Sequence, residues 1–482
     1  NTKSTVGAIR LKSVNEDESK ESTLYVLGKD KEGNILELRS LPNGAKDEID
    51  VANRKLIKRI GVDETDPDDP TFTRSTPAYL SDGTEVAANE PRFEQGKFGK
   101  AVLVEEGTTN LANNPTFSGA VGTTPSGWES GVTIRQDDFF GQTINVAELL
   151  CVAGNNYEDF GTSIAYPLAY NTTYTISFWA RGTMELIYEL STKRGIASAT
   201  WKSKPPMSLQ WQRYEVTIVT ASSGSIYPFW WYLYNANDVN VGKWVRIARI
   251  QLEQKPYATS FIDGTRADET LTIPTAGVLN PQEGTVECWV KAQDIYSRRR
   301  DIFTVNKPVA SEDHVILGYN VTGTGLELHW RPANATAYAI RATNLGATTD
   351  WVYVGFRYKW NGTGYDLALL YNGQVVATGT ATNGQMTNFY QALLGCSAQP
   401  EGGFTYYANM LFDDLRISSS ARSDDEIAAA YQSGQPLPVD ECTSYKLGFD
   451  DNLNKKRATP LIYQLAEPIE VPIQTSGSLV SY

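Results

Sequence analysis

The sequence has few of the residues on which catalysis and metal binding most often depend. It contains only two histidines, His314 and His329, among 482 residues. Its four cysteines are far apart and form no Cys-x-x-Cys pair, so zinc-ligand spacing is absent and we expect reduced, mostly buried thiols. Neither histidine is accompanied by a Gly-x-Ser-x-Gly nucleophile elbow. These absences favour a protein that is not an enzyme.

Positive charge is also scarce. Lysine and arginine number 43 against 56 acidic residues, which leaves a net charge of −13. Nucleic-acid binding needs a concentrated basic face, so a nucleic-acid partner is not expected. No apolar run reaches the ~18 residues that cross a membrane, and residues 1–20 are polar and charged. We therefore expect neither membrane insertion nor an export signal within this sequence.

Aromatic residues with a polar edge are abundant, with 26 tyrosines and 11 tryptophans. From residue 110 onward, alternating apolar and polar positions recur between turns rich in Gly, Asn and Ser. This pattern is typical of antiparallel β-sandwiches. Asn372-Gly373 between two apolar runs predicts a hairpin turn, and Ser423-Asp-Asp-Glu426 predicts a capping box that starts a short helix. The length allows two to four domains. The sequence therefore predicts a mainly β, multidomain protein with two antiparallel sandwich modules inserted between small β-rich N- and C-terminal segments.

Two strands give a candidate sugar-binding surface. In residues 174–181 and 227–234, one alternate set of side chains is assigned to the core. The opposite set then carries Trp179, Arg181, Trp230 and Tyr232, which form one face if the two strands are close. Indole and phenol rings can stack on sugars, while arginine can bind hydroxyl groups. The alternative is that these residues pack against a loop or a neighbouring domain.

Several stretches resemble known modules. Residues 72–79 (FTRSTPAY), 87–93 (AANEPRF) and 103–111 (LVEEGTTNL) are similar to a segment that recurs in phage and prophage tail proteins. Residues 113–117, 177–181 and 250–253, with Trp128 and the exit at 257–266, resemble a jelly-roll carbohydrate-binding module. Residues 284–291 and 412–417, with the helix that follows, resemble a concanavalin-A/laminin-G-like module, and residues 21–60 and 461–482 resemble the flanks of phage minor structural proteins.

The resemblance implies the following domain organisation. The segments are 1–70, an N-terminal attachment segment; 71–108, a connecting segment that packs on the second sandwich or stands alone; 109–263, the carbohydrate-binding-module-like jelly roll; 264–436, the concanavalin-A/laminin-G-like sandwich; and 437–482, a C-terminal segment whose pairing with the N-terminal one stays open.

The resemblance also implies a function. It indicates a virion tail or baseplate protein that binds host cell-surface polysaccharide and other tail proteins, as a homo-oligomer such as a trimer. In the second module, Trp330, Arg331 and Tyr338 flank a predicted loop and are further candidate sugar contacts. Both module families often carry structural calcium; the matching positions here are Asn114, Glu253, Asp413 and Asp414. The alternatives are a polysaccharide-degrading tail enzyme, which would need two carboxylates across a cleft, and a ligand-free decoration protein.

Overall fold

The computed structural model describes residues 70–449 except 130, 163, 189–193, 276–277, 388 and 441, together with strands at 6–9, 25–28, 48–50, 55–59 and 460–464. The structure is mainly β, as predicted, and contains two antiparallel sandwiches. Within the described residues, no helix is long and apolar enough to cross a lipid bilayer.

Among the described residues, ten short strands precede the first sandwich. Strands β1 and β2 pair with each other, and β6 pairs with β7. The ten strands are β1 (Val6–Ile9), β2 (Tyr25–Gly28), β3 (Glu48–Asp50), β4 (Lys55–Arg59), β5 (Thr71–Thr73), β6 (Ala78–Tyr79), β7 (Glu85–Val86), β8 (Arg92–Gln95), β9 (Lys100–Val104) and β10 (Thr108–Thr109).

The first sandwich packs a six-stranded sheet, in the order β11-β12-β19-β14-β17-β16, against a three-stranded sheet, β13-β18-β15. Phe178 on β14 and Trp231 on β18 meet in the core between the two sheets, with ring centroids 5.2 Å apart. The strands are β11 (Thr133–Phe139), β12 (Gln142–Leu150), β13 (Tyr157–Gly161), β14 (Thr173–Gly182), β15 (Ile187–Tyr188), β16 (Ile196–Ser203), β17 (Gln212–Thr220), β18 (Trp230–Tyr234) and β19 (Trp244–Glu253), with a 3-10 turn at Ala236–Asp238.

In the described part of the chain, one helix and fifteen strands follow the first sandwich up to residue 447, and most of them form the second sandwich. These elements are β20 (Thr265–Arg266), β21 (Thr270–Pro274), β22 (Glu283–Ala292), β23 (Arg300–Val305), β24 (His314–Tyr319), β25 (Gly325–Arg331), β26 (Tyr338–Thr343), β27 (Val352–Trp360), β28 (Tyr365–Tyr371), β29 (Gln374–Ala381), β30 (Gln391–Leu394), β31 (Ser397–Ala398), β32 (Phe404–Thr405), β33 (Met410–Ser418), α1 (Asp424–Gln432) and β34 (Thr443–Leu447).

Two sheets form this second sandwich. One has the order β26-β25-β24-β23-β30-β21-β5, and the other has the order β29-β28-β27-β22-β33-β9-β8, with β34 also on β33. Strands β5, β8 and β9 come from residues 71–108, so that segment supplies an edge to both sheets. The small ladders β10-β20 and β31-β32 lie outside the two main sheets. A last strand, β35 (Pro460–Gln464), pairs with β4 near the other end of the chain, and β4 also pairs with β3.

Local turn and cap chemistry explains two features of this module. Asn372 and Gly373 connect β28 to β29 with φ of 47° and 77°, the left-handed conformations that an Asn-Gly hairpin turn provides. Ser423 accepts a hydrogen bond from the Glu426 amide, and the Glu426 side chain accepts from the Ser423 amide. This capping box starts α1, as the sequence predicts.

Candidate functional site

The outer surface of the three-stranded sheet carries two exposed tyrosines and a half-buried one, which we call the tyrosine face (Tyr157, Tyr234 and Tyr232). Tyr157 on β13 is directly opposite Tyr234 on β18 and is 53% exposed, while Tyr234 is 45% exposed. The Tyr157 ring contacts Tyr232 and Tyr234 edge-on, at centroid distances of 5.5 and 5.6 Å. Because Leu233 and Trp231 point into the core, strand alternation holds Tyr232 and Tyr234 outward.

Trp230 extends this surface but is partly covered. It is opposite Gly161, where an added Cβ would lie 2.6 Å from the indole. The missing side chain therefore lets the ring approach the backbone of β13 closely. The Arg194 guanidinium lies 3.3 Å from the ring centroid of Trp230, in a cation–π contact. One face of this indole is thus already occupied by a protein group.

The four residues predicted to share one face lie on two opposite surfaces, and that prediction is wrong. Phe178 and Trp231 face each other across the core, and Trp179 and Trp230 are each one position away from them. Side chains alternate along a strand. Trp179 and Arg181 therefore point outward from the six-stranded sheet, whereas Trp230 and Tyr232 point outward from the three-stranded sheet.

The surface around Trp179 has a second exposed aromatic group. Phe140, at the tip of the β11–β12 hairpin, is 48% exposed and contacts the Trp179 ring edge-on at 5.2 Å. The Arg181 side chain, by contrast, is held by contacts within the protein. Its guanidinium forms an ion pair with Asp137 and lies over the Trp211 ring at 5.1 Å. This surface therefore combines a partly accessible ring pair with an arginine that is held by the protein.

The candidate contacts of the second module are also separated. Trp330 is completely buried, with its ring 4.9 Å from the rings of Tyr358 and Tyr365, so it cannot stack on a sugar. Tyr338 is opposite Trp330 in the register and packs against the same core. Arg331, one position further, points to the other side of the sheet and donates to the Val309 carbonyl at 2.7 Å. These three residues do not form one site.

The four candidate calcium ligands are already engaged by the protein. Glu253 accepts hydrogen bonds from Thr108 and Thr259. Asp413 accepts from the amides of residues 97 and 98, and Asp414 pairs with Lys446 at 2.9 Å.

Asn114, the fourth candidate, uses its side-chain oxygen in a local turn, where it accepts from the Ser118 amide. Among the described residues, no three His, Cys, Asp or Glu side chains are grouped as metal ligands. The four positions do not fit a calcium site.

The tail-protein-like motifs of the sequence meet in a buried charge cluster that the sequence did not predict. We call it the junction cluster, and its side chains are 0–1% exposed. Arg92 pairs with Glu105 at 2.7 Å and with Glu269 at 2.6 Å. Glu269 also pairs with Arg74 at 2.9 Å. The cluster consists of Arg74, Arg92, Glu105, Arg266 and Glu269.

The junction cluster connects the second sandwich with the exit of the first. Ser260, just after the first sandwich, donates its amide to Glu105 and accepts from Arg266 at 2.8 Å. Four of the five cluster residues lie in the stretches 72–79, 87–93, 103–111 and 257–266 that resemble known modules. The fifth, Glu269, lies three positions after the last of these stretches. Three arginines and two glutamates are the signal that the sequence offers, but ion-pair partners are up to 195 positions apart, a separation that sequence spacing does not reveal.

Comparison with known proteins supports the fold of the second sandwich. Residues 263–428 match the family model of the concanavalin A-like lectin/glucanases superfamily. The match covers about a third of the chain, so the similarity applies to this segment. No curated protein matches the chain.

Three solved structures are similar to part of the chain. A pentraxin of Limulus polyphemus is 16% identical over 33% of this chain and 73% of its own, with a TM-score of 0.27. The CBM40 module of a Ruminococcus gnavus sialidase, bound to α2,3-sialyllactose, is 17% identical over 32% and 85%, with a TM-score of 0.26. The binding domain of botulinum neurotoxin serotype D is 16% identical over 37% and 46%, with a TM-score of 0.28. At this level of similarity, these structures identify no ligand for this chain.

Proposed function

We propose that the chain binds polysaccharide through the tyrosine face, without catalysis, as a tail-associated protein of a phage or prophage particle. The observation that carries the proposal is a cluster of three tyrosines on one sheet surface, in which the exposed Tyr157 ring contacts the exposed Tyr234 and the half-buried Tyr232. Contiguous exposed apolar patches larger than a few hundred Å² are uncommon on monomeric proteins and often mark binding sites. Each ring offers a flat apolar face and a hydroxyl, which matches the C–H faces and hydroxyl groups of a sugar chain.

The polar groups beside the rings support a carbohydrate rather than a purely apolar partner. Asp159 is exposed on β13 and is opposite Tyr232 in the register. Because the Asp159 carboxylate lies beside the rings, this surface favours a neutral sugar chain over an acidic polymer. Such sites are shallow and bind weakly, so a homo-oligomer, with a trimer as our specific proposal, would raise the avidity.

The experiment is retention on purified host cell-wall polysaccharide, measured with the Tyr157→Ala variant. Loss of the ring is expected to weaken retention at least about tenfold, as for other exposed aromatic anchors. The matched control is Tyr170→Ala in the same sandwich, because Tyr170 is 50% exposed and lies outside the tyrosine face. Equal retention of both variants and the parent would refute the assignment of this face.

The same incubation tests the absence of catalysis. New reducing ends released from the polysaccharide would contradict a purely binding role and favour the enzyme alternative. The tail location rests on the sequence resemblance of residues 72–111 and of the chain ends. It is tested by mass spectrometry of particles purified after prophage induction in the source bacterium, where the chain should co-purify with tail proteins.

A further inference from the structure

The seven-stranded sheet of the second sandwich has a pocket of about 170 Å³ on its outer surface. It is remote from the tyrosine face, which belongs to the other sandwich. The volume is below the roughly 300 Å³ at which pockets for drug-sized ligands begin, so it suits one terminal group rather than a whole chain. Its charged and polar lining consists of Arg299, Asp301, Asn320, Glu327, His329 and Arg341.

A glycine creates this depression. Across four neighbouring strands, Asp301, Gly318, Glu327 and Arg341 are opposite one another in the register. Gly318 has no side chain on the central strand, so the sheet is open between the two carboxylates. A Cβ at Gly318 would lie 2.4 Å from the Arg300 carbonyl oxygen and 3.1 Å from an Asp301 carboxylate oxygen. The backbone is too close here for any larger residue.

The two carboxylates of the pocket are already bound by protein donors. Asp301 accepts from Arg299 Nε at 2.8 Å and from a terminal nitrogen of Arg299 at 3.0 Å, and it also accepts from the Ser397 hydroxyl. Glu327 lies 2.5 Å from His329 Nε2 and 3.0 Å from Arg341 Nε. Each carboxylate is therefore neutralised within the protein and is a poor site for a further cation.

The arginines, by contrast, retain donors. A guanidinium has five N–H groups. Arg341 uses Nε for Glu327, and among the described residues its two terminal nitrogens have no other acceptor. Its side chain is 56% exposed at the pocket. Arg299 likewise retains one terminal nitrogen, and its guanidinium is held over the Tyr406 ring at 4.0 Å. The pocket thus offers oriented donors to a ligand that accepts hydrogen bonds.

We infer that this pocket binds the carboxylate of an acidic sugar residue, with Arg341 and Arg299 as the anion-binding groups. A planar guanidinium matches a carboxylate in two parallel hydrogen bonds. Asn320 also lines the pocket, with its side-chain oxygen held by the Thr324 amide at 3.0 Å. This site is independent of the tyrosine face, so an experiment can refute one of the two proposed sites without refuting the other.

The test compares methyl β-D-glucuronide with methyl β-D-glucoside. The glucuronide carries a carboxylate where the glucoside carries a hydroxymethyl group. Titration of the full chain, followed by saturation-transfer NMR and calorimetry, should show binding of the glucuronide at least about tenfold tighter, because hydrogen bonds between charged groups are the stronger ones. Binding should weaken as salt is added, since salt screens exposed charges.

The variant Arg341→Gln is expected to abolish this preference for the acidic glycoside. Its matched control is Arg135→Gln, in the first sandwich, where Arg135 Nε binds Glu148 at 2.8 Å with a side chain that is 42% exposed. The control should leave the preference unchanged. Equal affinity for the two glycosides, no binding of either, or an undiminished preference in Arg341→Gln would each overturn the inference, whether or not Tyr157→Ala affects polysaccharide retention.

Discussion

Arg92 and Glu269 form a two-pronged ion pair across 177 positions of the sequence, with Nε and a terminal nitrogen of the arginine 2.9 and 2.6 Å from the two carboxylate oxygens. Both side chains are completely buried. Arg92 starts β8 and Glu269 directly precedes β21, so the pair connects the two sheets of the second sandwich at their β8 and β5 edges. The tail-protein-like motif thus has a structural role in this chain.

We expect Glu269→Gln to lower the free energy of unfolding by about 3–5 kcal/mol, because it leaves Arg92 and Arg74 buried without their shared counter-charge. Urea unfolding followed by tryptophan fluorescence measures the change. The control is Glu283→Gln, which removes an exposed pair with Lys359 and should cost less than about 1 kcal/mol. Similar losses in the two variants would mean that the junction cluster contributes no more than a surface pair.

The junction cluster also predicts a loss of stability in acid. Burial alone raises the pKa of Glu105, but the neighbouring Arg266 and Arg92 guanidinium groups outweigh it and bring the pKa to about 2. An unfolded glutamate has a pKa of about 4.3. A depressed folded pKa stabilises the protein above the unfolded pKa, and the contribution disappears as pH falls towards 2.

We therefore expect the urea midpoint to fall between about pH 4.5 and pH 2, with Glu105 contributing on the order of 3 kcal/mol. In Glu105→Gln the protein should be less stable at pH 7, but its midpoint should change less steeply over the same interval. A slope identical to that of the parent protein would show that other carboxyl groups cause the acid sensitivity.

Strand periodicity predicted the core of the first sandwich but not its surfaces. Assigning Phe178 and Trp231 to the interior is correct, because a two-residue repeat separates inner from outer positions. The repeat does not say which sheet a strand joins. β14 pairs with β17 and β19, whereas β18 pairs with β13 and β15, and this arrangement depends on contacts distant in sequence.

The same two-residue repeat also assigns Trp330 and Tyr157 to opposite environments. Leu326, Leu328 and Trp330 alternate on β25, so the repeat that assigns Phe178 to the core also assigns Trp330 to it, even though Trp330 lies one residue before the end of the strand. The shortness of β13 hides Tyr157 in the sequence pattern. Tyr157 and the buried Phe160 are three positions apart on this strand, so their side chains lie on opposite faces and the Tyr157 ring is predicted to be exposed. Hairpin and capping-box chemistry are local, and both were predicted correctly.

A comparison of two tryptophans separates core packing from sugar recognition. Trp330→Ala should lower the free energy of unfolding by about 3–5 kcal/mol, because it removes a large side chain from a closed core. Trp230→Ala should cost less, since Trp230 is half-buried at the surface and its Arg194 contact contributes about 0.5–1 kcal/mol at an exposed site. Both values come from urea unfolding.

The effects of the two substitutions on polysaccharide retention should be in the opposite order to their effects on stability. Trp230 adjoins Tyr232 on the tyrosine face, so its loss is expected to weaken retention, whereas Trp330→Ala should retain polysaccharide like the parent protein as long as it is folded. Retention is therefore measured at a temperature where unfolding curves show both variants to be native. Loss of retention in Trp330→Ala with no loss in Trp230→Ala would place the binding surface on the second sandwich, because Trp330 packs against Tyr358 and Tyr365 in the core of that module.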